Sequence, residues 1–348
     1  MIEEVRELEP LREDWQRLAE AAGNPFSTHE WATAWWRHFG AGRELHVLRC
    51  SDEARHAFAI LPLFLARARP VRILRLVGQG AADQLMPVCA PEDAGAAAAA
   101  LHEALRDGVG GWHALIADRL PGEGGWPELI GGRALDRTPS PVLETGGTGF
   151  DDWLRSRSKN FREQVKRRER KLAKAHELSF RLTDDPERLD ADLDTLIRLH
   201  RERWGDASGS FEGGREAFHR DFARVALERG WLRLWTLELD GRPAASWLGY
   251  RFGGDEWYYQ AGRDPALERE AVGFVLMAHT VRAALDDGVA RYRLLLGGEG
   301  YKDRFANTDH GLHTTMLGRG AVGRALAAGA ETAATRPALR ARLKRFAR

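Results

Sequence analysis

The sequence predicts an α/β (α+β) protein of two similarly built domains, each a mixed, mostly antiparallel sheet flanked by helices. Three observations carry that expectation. At 348 residues the chain is too long for one small core and fits two domains of ordinary size. Strand-like and helical stretches recur in the same order in both halves, three strands, a helix and a strand. Between the halves lies a long, strongly charged helical stretch that belongs to neither pattern. No residue-level repeat accompanies the shared order.

The first half opens with helices at Leu11–Ala22 and Thr28–Phe39. The second is preceded by Asn24-Pro25-Phe26-Ser27, a turn leading into a Ser or Thr cap, and Trp31, Trp35 and Phe39 form its apolar face. Strands follow at Glu44–Cys50, His56–Ala66, Val71–Val77 and Gln84–Ala90. Pro62 marks the second of these as an edge or bulged strand, because proline cannot donate to a ladder. An alanine-rich helix, Ala94–Arg106, is stopped by Gly108, and strands at Trp112–Ala117 and Ala134–Glu144 complete the half. Helices at Asp151–Ala175, Pro186–Trp204 and Arg215–Arg229 come next. The second half then sets strands at Trp231–Leu239 and Ala244–Phe252 around the hairpin turn Asp240-Gly241-Arg242-Pro243. A strand at Trp257–Gly262, a helix at Glu270–Asp287 closed by Gly288 and a strand at Tyr292–Leu296 follow, and Leu312–Leu317 is the last strand. The expected domains are 1–148 and 149–320, with a basic tail at 321–348.

Composition narrows the function classes. The net charge of +1 gives no bulk field toward nucleic acid or membrane. Two cysteines, Cys50 and Cys89, form neither a disulfide framework nor a thiolate metal site, and the histidines contain no His-x-x-x-His pair, so no metal is expected. The N-terminus lacks a secretory pattern, and the longest apolar run, Ala57–Ala66, is too short to span a bilayer. The expected location is cytoplasmic. The tail, with Arg336, Arg340, Arg342, Lys344, Arg345 and Arg348 around Leu339, Leu343 and Phe346, offers a peripheral membrane contact or simply a frayed end.

Several motifs coincide with one family. Asn24-Pro25-Phe26 ahead of Trp31 and Trp35-Trp36, Leu61-Pro62-Leu63, and Leu74-Arg75-Leu76-Val77-Gly78 with Asp83 stand in the first half. Ser158-Lys159-Asn160-Phe161-Arg162, Asp240-Gly241-Arg242-Pro243-Ala244, and Tyr301-Lys302 with Arg304-Phe305 stand in the second. With these, residues 20–315 resemble the GNAT-superfamily acetyltransferases of the cellulose-biosynthesis (CelD) type, relatives of the FemAB peptidyltransferases. The resemblance implies two tandem GNAT-like domains with acyl-CoA, expected as acetyl-CoA, in the second. The sequence departs from the family at Ala271-Val272-Gly273, where Ser-Pro-Gly is usual. It departs again at Arg293, where an aspartate is common, and at Leu296-Gly297-Gly298-Glu299-Gly300, where Arg-Gly-Asp-Glu-Pro is usual.

Acyl transfer from a thioester needs an anchored pyrophosphate, a polarised carbonyl and a proton for the leaving thiolate. A helix beginning at Ala271, Val272, Gly273 and Phe274 supplies N–H donors and the positive dipole end for the first. Main-chain groups of Gln260, Ala261, Gly262 and Arg263 serve the pantetheine arm and the carbonyl. Tyr301 is the candidate general acid and Glu299 the candidate acceptor of the amine proton. The plain alternatives are a solvated helix start, a packing tyrosine and a surface carboxylate. Lys302, Asp83, Lys159 and Arg162 are the expected substrate-binding residues, the last two from the basic run Arg155–Lys174, whose plain reading is a solvated helix face.

The expected activity is therefore N-acyl transfer to an amine of a small, anionic acceptor, such as a sugar or nucleotide-linked precursor of a surface polysaccharide. DNA is not an expected partner, and tRNA is disfavoured. Two alternatives stay open: a FemAB-like transferase using aminoacyl-tRNA, and a non-catalytic acyl-CoA-binding or scaffold protein.

Overall fold

Local capping chemistry sets where the elements of the chain begin. The computed structural model describes residues 1–335 except 69, 108, 110, 206 and 207, and leaves the side chains of 67 and 68 undescribed. The basic tail from Arg336 and the helix-stopping Gly108 lie outside the described residues. In chain order the first elements are β1 (Ile2–Val5), α1 (Arg12–Ala22), α2 (His29–Phe39), β2 (Glu44–Ser51), β3 (Ala57–Ala68), β4 (Val71–Leu76) and β5 (Val88–Cys89). Then come α3 (Ala94–Asp107), β6 (Ala114–Pro121), α4 (Trp126–Ile130), β7 (Arg133–Thr138), β8 (Pro141–Glu144), α5 (Phe150–Ser156), α6 (Lys159–Ala175), β9 (Leu178–Leu182) and α7 (Pro186–Trp204). The chain continues through α8 (Gly214–Glu228), β10 (Leu232–Leu239), β11 (Arg242–Phe252), β12 (Asp255–Arg263), α9 (Val272–Asp286), β13 (Arg291–Arg293), β14 (Thr308–Asp309), β15 (Leu312–Gly318) and α10 (Gly320–Ala334). Asn24 accepts from the Phe26 amide, Thr28 from Trp31, and Asp185 from Glu187 at the Pro186 start of α7. Ser158 accepts from Phe161 and divides the helix expected over Asp151–Ala175 into α5 and α6.

The chain divides into two units, residues 1–140 with 310–348, and residues 141–309. Sheet 1, in the first unit, has the order β1-β2-β3-β4-β6-β15-β7, with β5 beside β3; sheet 2, in the second, has β14-β8-β13-β12-β11-β10-β9. Each sheet contains one parallel pair, β4–β6 or β12–β13, and every other pairing is antiparallel. The parallel step is made where a helix, α3 or α9, carries the chain back between strands. The mixed sheets and the duplicated order expected from the sequence are both present.

The boundaries at 148 and 320 fall elsewhere. The stretch expected as one strand at Ala134–Glu144 is two: β7 lies in sheet 1 and β8 in sheet 2, with Pro139 and Pro141 on either side of the crossing. The last strand, β15, returns to sheet 1 between β6 and β7, and α10, in the region read as a tail, belongs to the same unit. Sheet 1 thus completes itself with a strand from the far side of the second unit in sequence, whereas sheet 2 is built from the contiguous stretch 141–309. Periodicity cannot reveal this, because it records burial and not the sheet that provides it.

Pro62 lies inside β3, between β2 and β4, rather than at an edge. Its carbonyl accepts from Val77 just past the end of β4, so its donor-free nitrogen faces the point where that ladder stops. The strand expected at Gln84–Ala90 is reduced to Val88–Cys89. Cys50 and Cys89 are buried free thiols, pushed up to about 12 by burial. Among the described residues no helix is long and apolar enough to cross a membrane.

Candidate active site

The site is built where β12 outruns β13. The two strands pair only from Asp255↔Arg291 to Trp257↔Arg293. Beyond them β12 continues to Arg263 along β11, while the chain after Arg293 turns away; Leu294 donates to Pro141 and Leu295 takes a left-handed φ of 53°. No backbone hydrogen bond joins residues 260–263 to the chain after Arg293 among the described residues. At Gln260–Arg263 one margin of β12 therefore carries backbone groups without a strand partner among the described residues. Such groups are costly unless something pairs with them.

A register irregularity opposite Leu248/Gly249 makes Tyr259 an extra residue in β12. Tyr258 packs in the core beneath α9, whereas Tyr259 meets His219 of α8 and Gln260 hydrogen-bonds His200 of α7. Neighbouring side chains that would alternate thus turn to one face. Burial, ahead of the Arg203 charge, lowers His200 to about 4, leaving it neutral; Ser208 lies 3.3 Å from its Nε2. Gly262 sits under α7, where a Cβ would lie 2.3 Å from the His200 nitrogen. Its lack of a side chain serves helix packing; its role toward a ligand is confined to the main chain.

At the mouth of this margin α9 begins. Ala271 holds a left-handed conformation, φ 57° and ψ 38°, with no side-chain cap. The amides of Phe274 and Val275 turn back onto the Ala271 carbonyl, but those of Val272 and Gly273 have no acceptor among the described residues. A left-handed non-glycine start with two open donors has the geometry to hold an anion, as any uncapped helix start can, or else water. Arg263 lies over it, its Cδ 3.2 Å from where a Gly273 Cβ would stand, and pairs with Glu268 at 2.9 Å. Phe274 packs against Phe161 and Phe305.

Past β13 the chain brings Tyr301 and Lys302 to the same region. The Tyr301 hydroxyl lies 2.9 Å from that of Tyr258, and burial, then Tyr258, pushes its pKa well up, so it is a protonated phenol. Lys302 is buried at 3% side-chain exposure, donates to the Leu296 carbonyl at 2.7 Å and lies 3.0 Å from Glu299. Its Nζ stands 5.4 Å from the Tyr258 ring. A cation, a carboxylate and two phenols thus form one connected group. Glu299 is tied to Lys302, and the buried Lys302 amine braces both Glu299 and the Leu296 carbonyl.

Arg293, where the family pattern has an acid, is buried and donates to Asp255 at 2.6 Å, beside the Arg291 contact at 3.0 Å. The departure is balanced inside the sheet. Arg162 caps the end of α5, donating to the Arg155 and Arg157 carbonyls. Lys159 is exposed in the first turn of α6. Asp83 lies in the first unit, buried and paired with Arg119 at 2.9 Å. The structure thus brings Gln260–Arg263, Ala271–Phe274, Glu299, Tyr301 and Lys302 together. Arg162 and Asp83 have structural partners instead. Tyr258 escaped the sequence reading because the extra residue at Tyr259 obscured the parity of β12. Among the described residues no cluster of His, Cys, Asp and Glu could hold a metal ion.

A sequence model described as an acetyltransferase (GNAT) domain matches residues 159–303, within the second unit. No curated protein matches the sequence. Among solved structures the chain is similar to FemX, at a TM-score of 0.62 and 11% identity, covering 87% of this chain and 96% of that one. It is also similar to a protein assigned as the C-terminal domain of a lysylphosphatidylglycerol synthetase from Agrobacterium fabrum, at a TM-score of 0.57 and 12% identity, covering 94% and 96%. A third match is L-PGS from Bacillus licheniformis, at 0.53 and 12%, covering 88% and 90%. At such identities these likenesses establish the fold, a tandem GNAT-like architecture. The matched segment makes the protein an enzyme of the acyltransferase class.

Proposed function

We propose that the chain is a CelD-like N-acyltransferase that moves an acyl group, acetyl in the simplest case, from CoA to an amine of a small anionic acceptor. The observation that carries this reading is the pair of open amides at Val272 and Gly273, beside the margin of β12 at Gln260–Arg263. The amides seat the pyrophosphate, and the Gln260–Arg263 backbone supplies strand-like hydrogen bonds to the pantetheine amides. The thioester carbonyl then lies near the irregularity at Tyr259, where a main-chain donor polarises it.

The amine nitrogen attacks the carbonyl carbon, forming the C–N bond as the C–S bond breaks. Tyr301 gives its proton to the departing sulfur, and Tyr258, 2.9 Å away, steadies the phenolate through its own hydroxyl. The amine proton leaves through water at Glu299, a carboxylate held in place by Lys302. Free CoA and an amide are the products.

A second reading rests on the likeness to FemX and L-PGS and on the exposed cations of α6: Lys159, Lys166, Arg167, Arg170, Lys171 and Lys174. It replaces CoA with aminoacyl-tRNA as donor. An assay of thiol release from acetyl-CoA over a panel of amino sugars and nucleotide-linked amines separates the two. Acceptor-dependent thiol release supports the first; none, together with transfer from charged tRNA, replaces it with the second.

A further inference from the structure

The start of α9 is flanked by two guanidiniums that the acyl-transfer chemistry does not use. Arg168, from α6, stands 4.7 Å from the centre of the Phe274 ring, and Arg304, from the short turn after Tyr301, stands 5.2 Å from the same ring. Phe274 is the third residue of α9, so both cations border the turn that carries the open Val272 and Gly273 amides. Neither has an acidic partner among the described residues. Arg304 donates to the Gln164 side-chain oxygen at 2.6 Å, and Arg168 has its ring contact. Burial lowers the pKa of Arg168, and the charges of Arg304 and Arg167 lower it further. Other cations near this helix are neutralised: Arg263 by Glu268 at 2.9 Å and Arg282 by Glu169 at 3.1 Å.

Two like charges that border one aromatic ring and repel each other, with no acidic partner among the described residues, suit an anion beside them. Fork-shaped guanidiniums suit a phosphate, and a phosphomonoester brings the larger charge, up to about two negative charges at neutral pH. The pyrophosphate is already served by the two amides. We propose that Arg168 and Arg304 form a second phosphate site, which reads the 3′-phosphomonoester of the CoA nucleotide. This rests on the acyl-CoA reading above and deepens it: the donor is selected by its nucleotide end as well as by its thioester. The 3′ end of a tRNA offers only phosphodiesters near its acceptor nucleotide and lacks this group.

The test is calorimetric titration of the full chain with CoA and with 3′-dephospho-CoA. CoA is expected to bind roughly tenfold or more tightly, the usual scale for charge-assisted contacts. Arg168→Gln or Arg304→Gln should remove most of that gap while leaving 3′-dephospho-CoA affinity unchanged. Equal affinity of the two nucleotides for the unmodified protein overturns this inference and leaves the acyl-CoA reading standing. Equal weakening of both by Arg168→Gln overturns it in the same way. Binding of neither, or of a CCA-ended tRNA hairpin alone, overturns both. The unmodified-protein comparison needs no variant to fold.

Discussion

The two units meet the same geometric problem and resolve it in opposite ways. In each, a parallel pair ends early and leaves an opening between diverging strands. Beyond β4 and β6 the first unit folds residues 77–85 into that opening. Ala81, Ala82, Asp83, Gln84 and Leu85 are all buried, Leu85 donates to the Arg119 carbonyl, and Arg119 reaches back to Asp83. Beyond β12 and β13 the second unit inserts nothing comparable. Residues 264–271 lead to α9, Gln260–Arg263 have no strand partner on that margin among the described residues, and the helix starts with open amides. One copy of the plan fills its opening with its own chain, and the other leaves main-chain donors there, where the proposed reading places the ligand. On the proposed reading, what fills the divergence of the parallel pair decides which unit carries the chemistry.

Removing the proposed acid should break the comparison most forcefully. Tyr301→Phe is expected to lower kcat by roughly a hundredfold or more, the lower range for general acid catalysis, with CoA affinity nearly intact. Unchanged turnover would return Tyr301 to a packing role. Next in size is Gly262→Ala, whose new Cβ would collide with α7 at 2.3 Å. Thermal unfolding should register a loss of about 2 kcal/mol or more, because backbone rather than a flexible side chain must yield.

Acid should sharpen the contrast further. Burial holds His200 and His279 at about 4 and His219 at about 3, all in the second unit. Their unfolded values lie near 6.5, so the unfolded chain binds more protons as pH falls. Stability from these groups is complete above about pH 6.5 and drains away down to about pH 3. Melting curves from pH 7 to 4 should show a steady fall in Tm, smaller in His219→Gln than in the unmodified protein. His29 and His46 are lowered by burial too and add to the slope from the first unit. The smallest effect is expected at Asp83→Asn: about 1–2 kcal/mol of stability from the weakened pair with Arg119, and no change in CoA affinity. A variant that lost CoA binding would show that the two openings are not so different.

Much of this was legible in the residues. The helices and most strands follow from periodicity and caps, and the motif at Tyr301-Lys302 falls within the stretch that the acetyltransferase (GNAT) domain model matches. Features that depend on long-range pairing were not legible. Nothing local tells that β7 and β8 part company at Ser140, or that β15 returns to the first sheet. Asp83 and Arg162 matched a motif as polar residues, but only the fold shows that Arg119 and the end of α5 occupy them. The open amides of Val272 and Gly273 depend on the left-handed Ala271, a conformation an alanine does not advertise.

Amide hydrogen exchange with and without saturating CoA probes both openings in one experiment. The account expects new protection at residues 258–263 and 271–275 and none at 77–85. Protection confined to 77–85, or no change anywhere while CoA is bound, would contradict it.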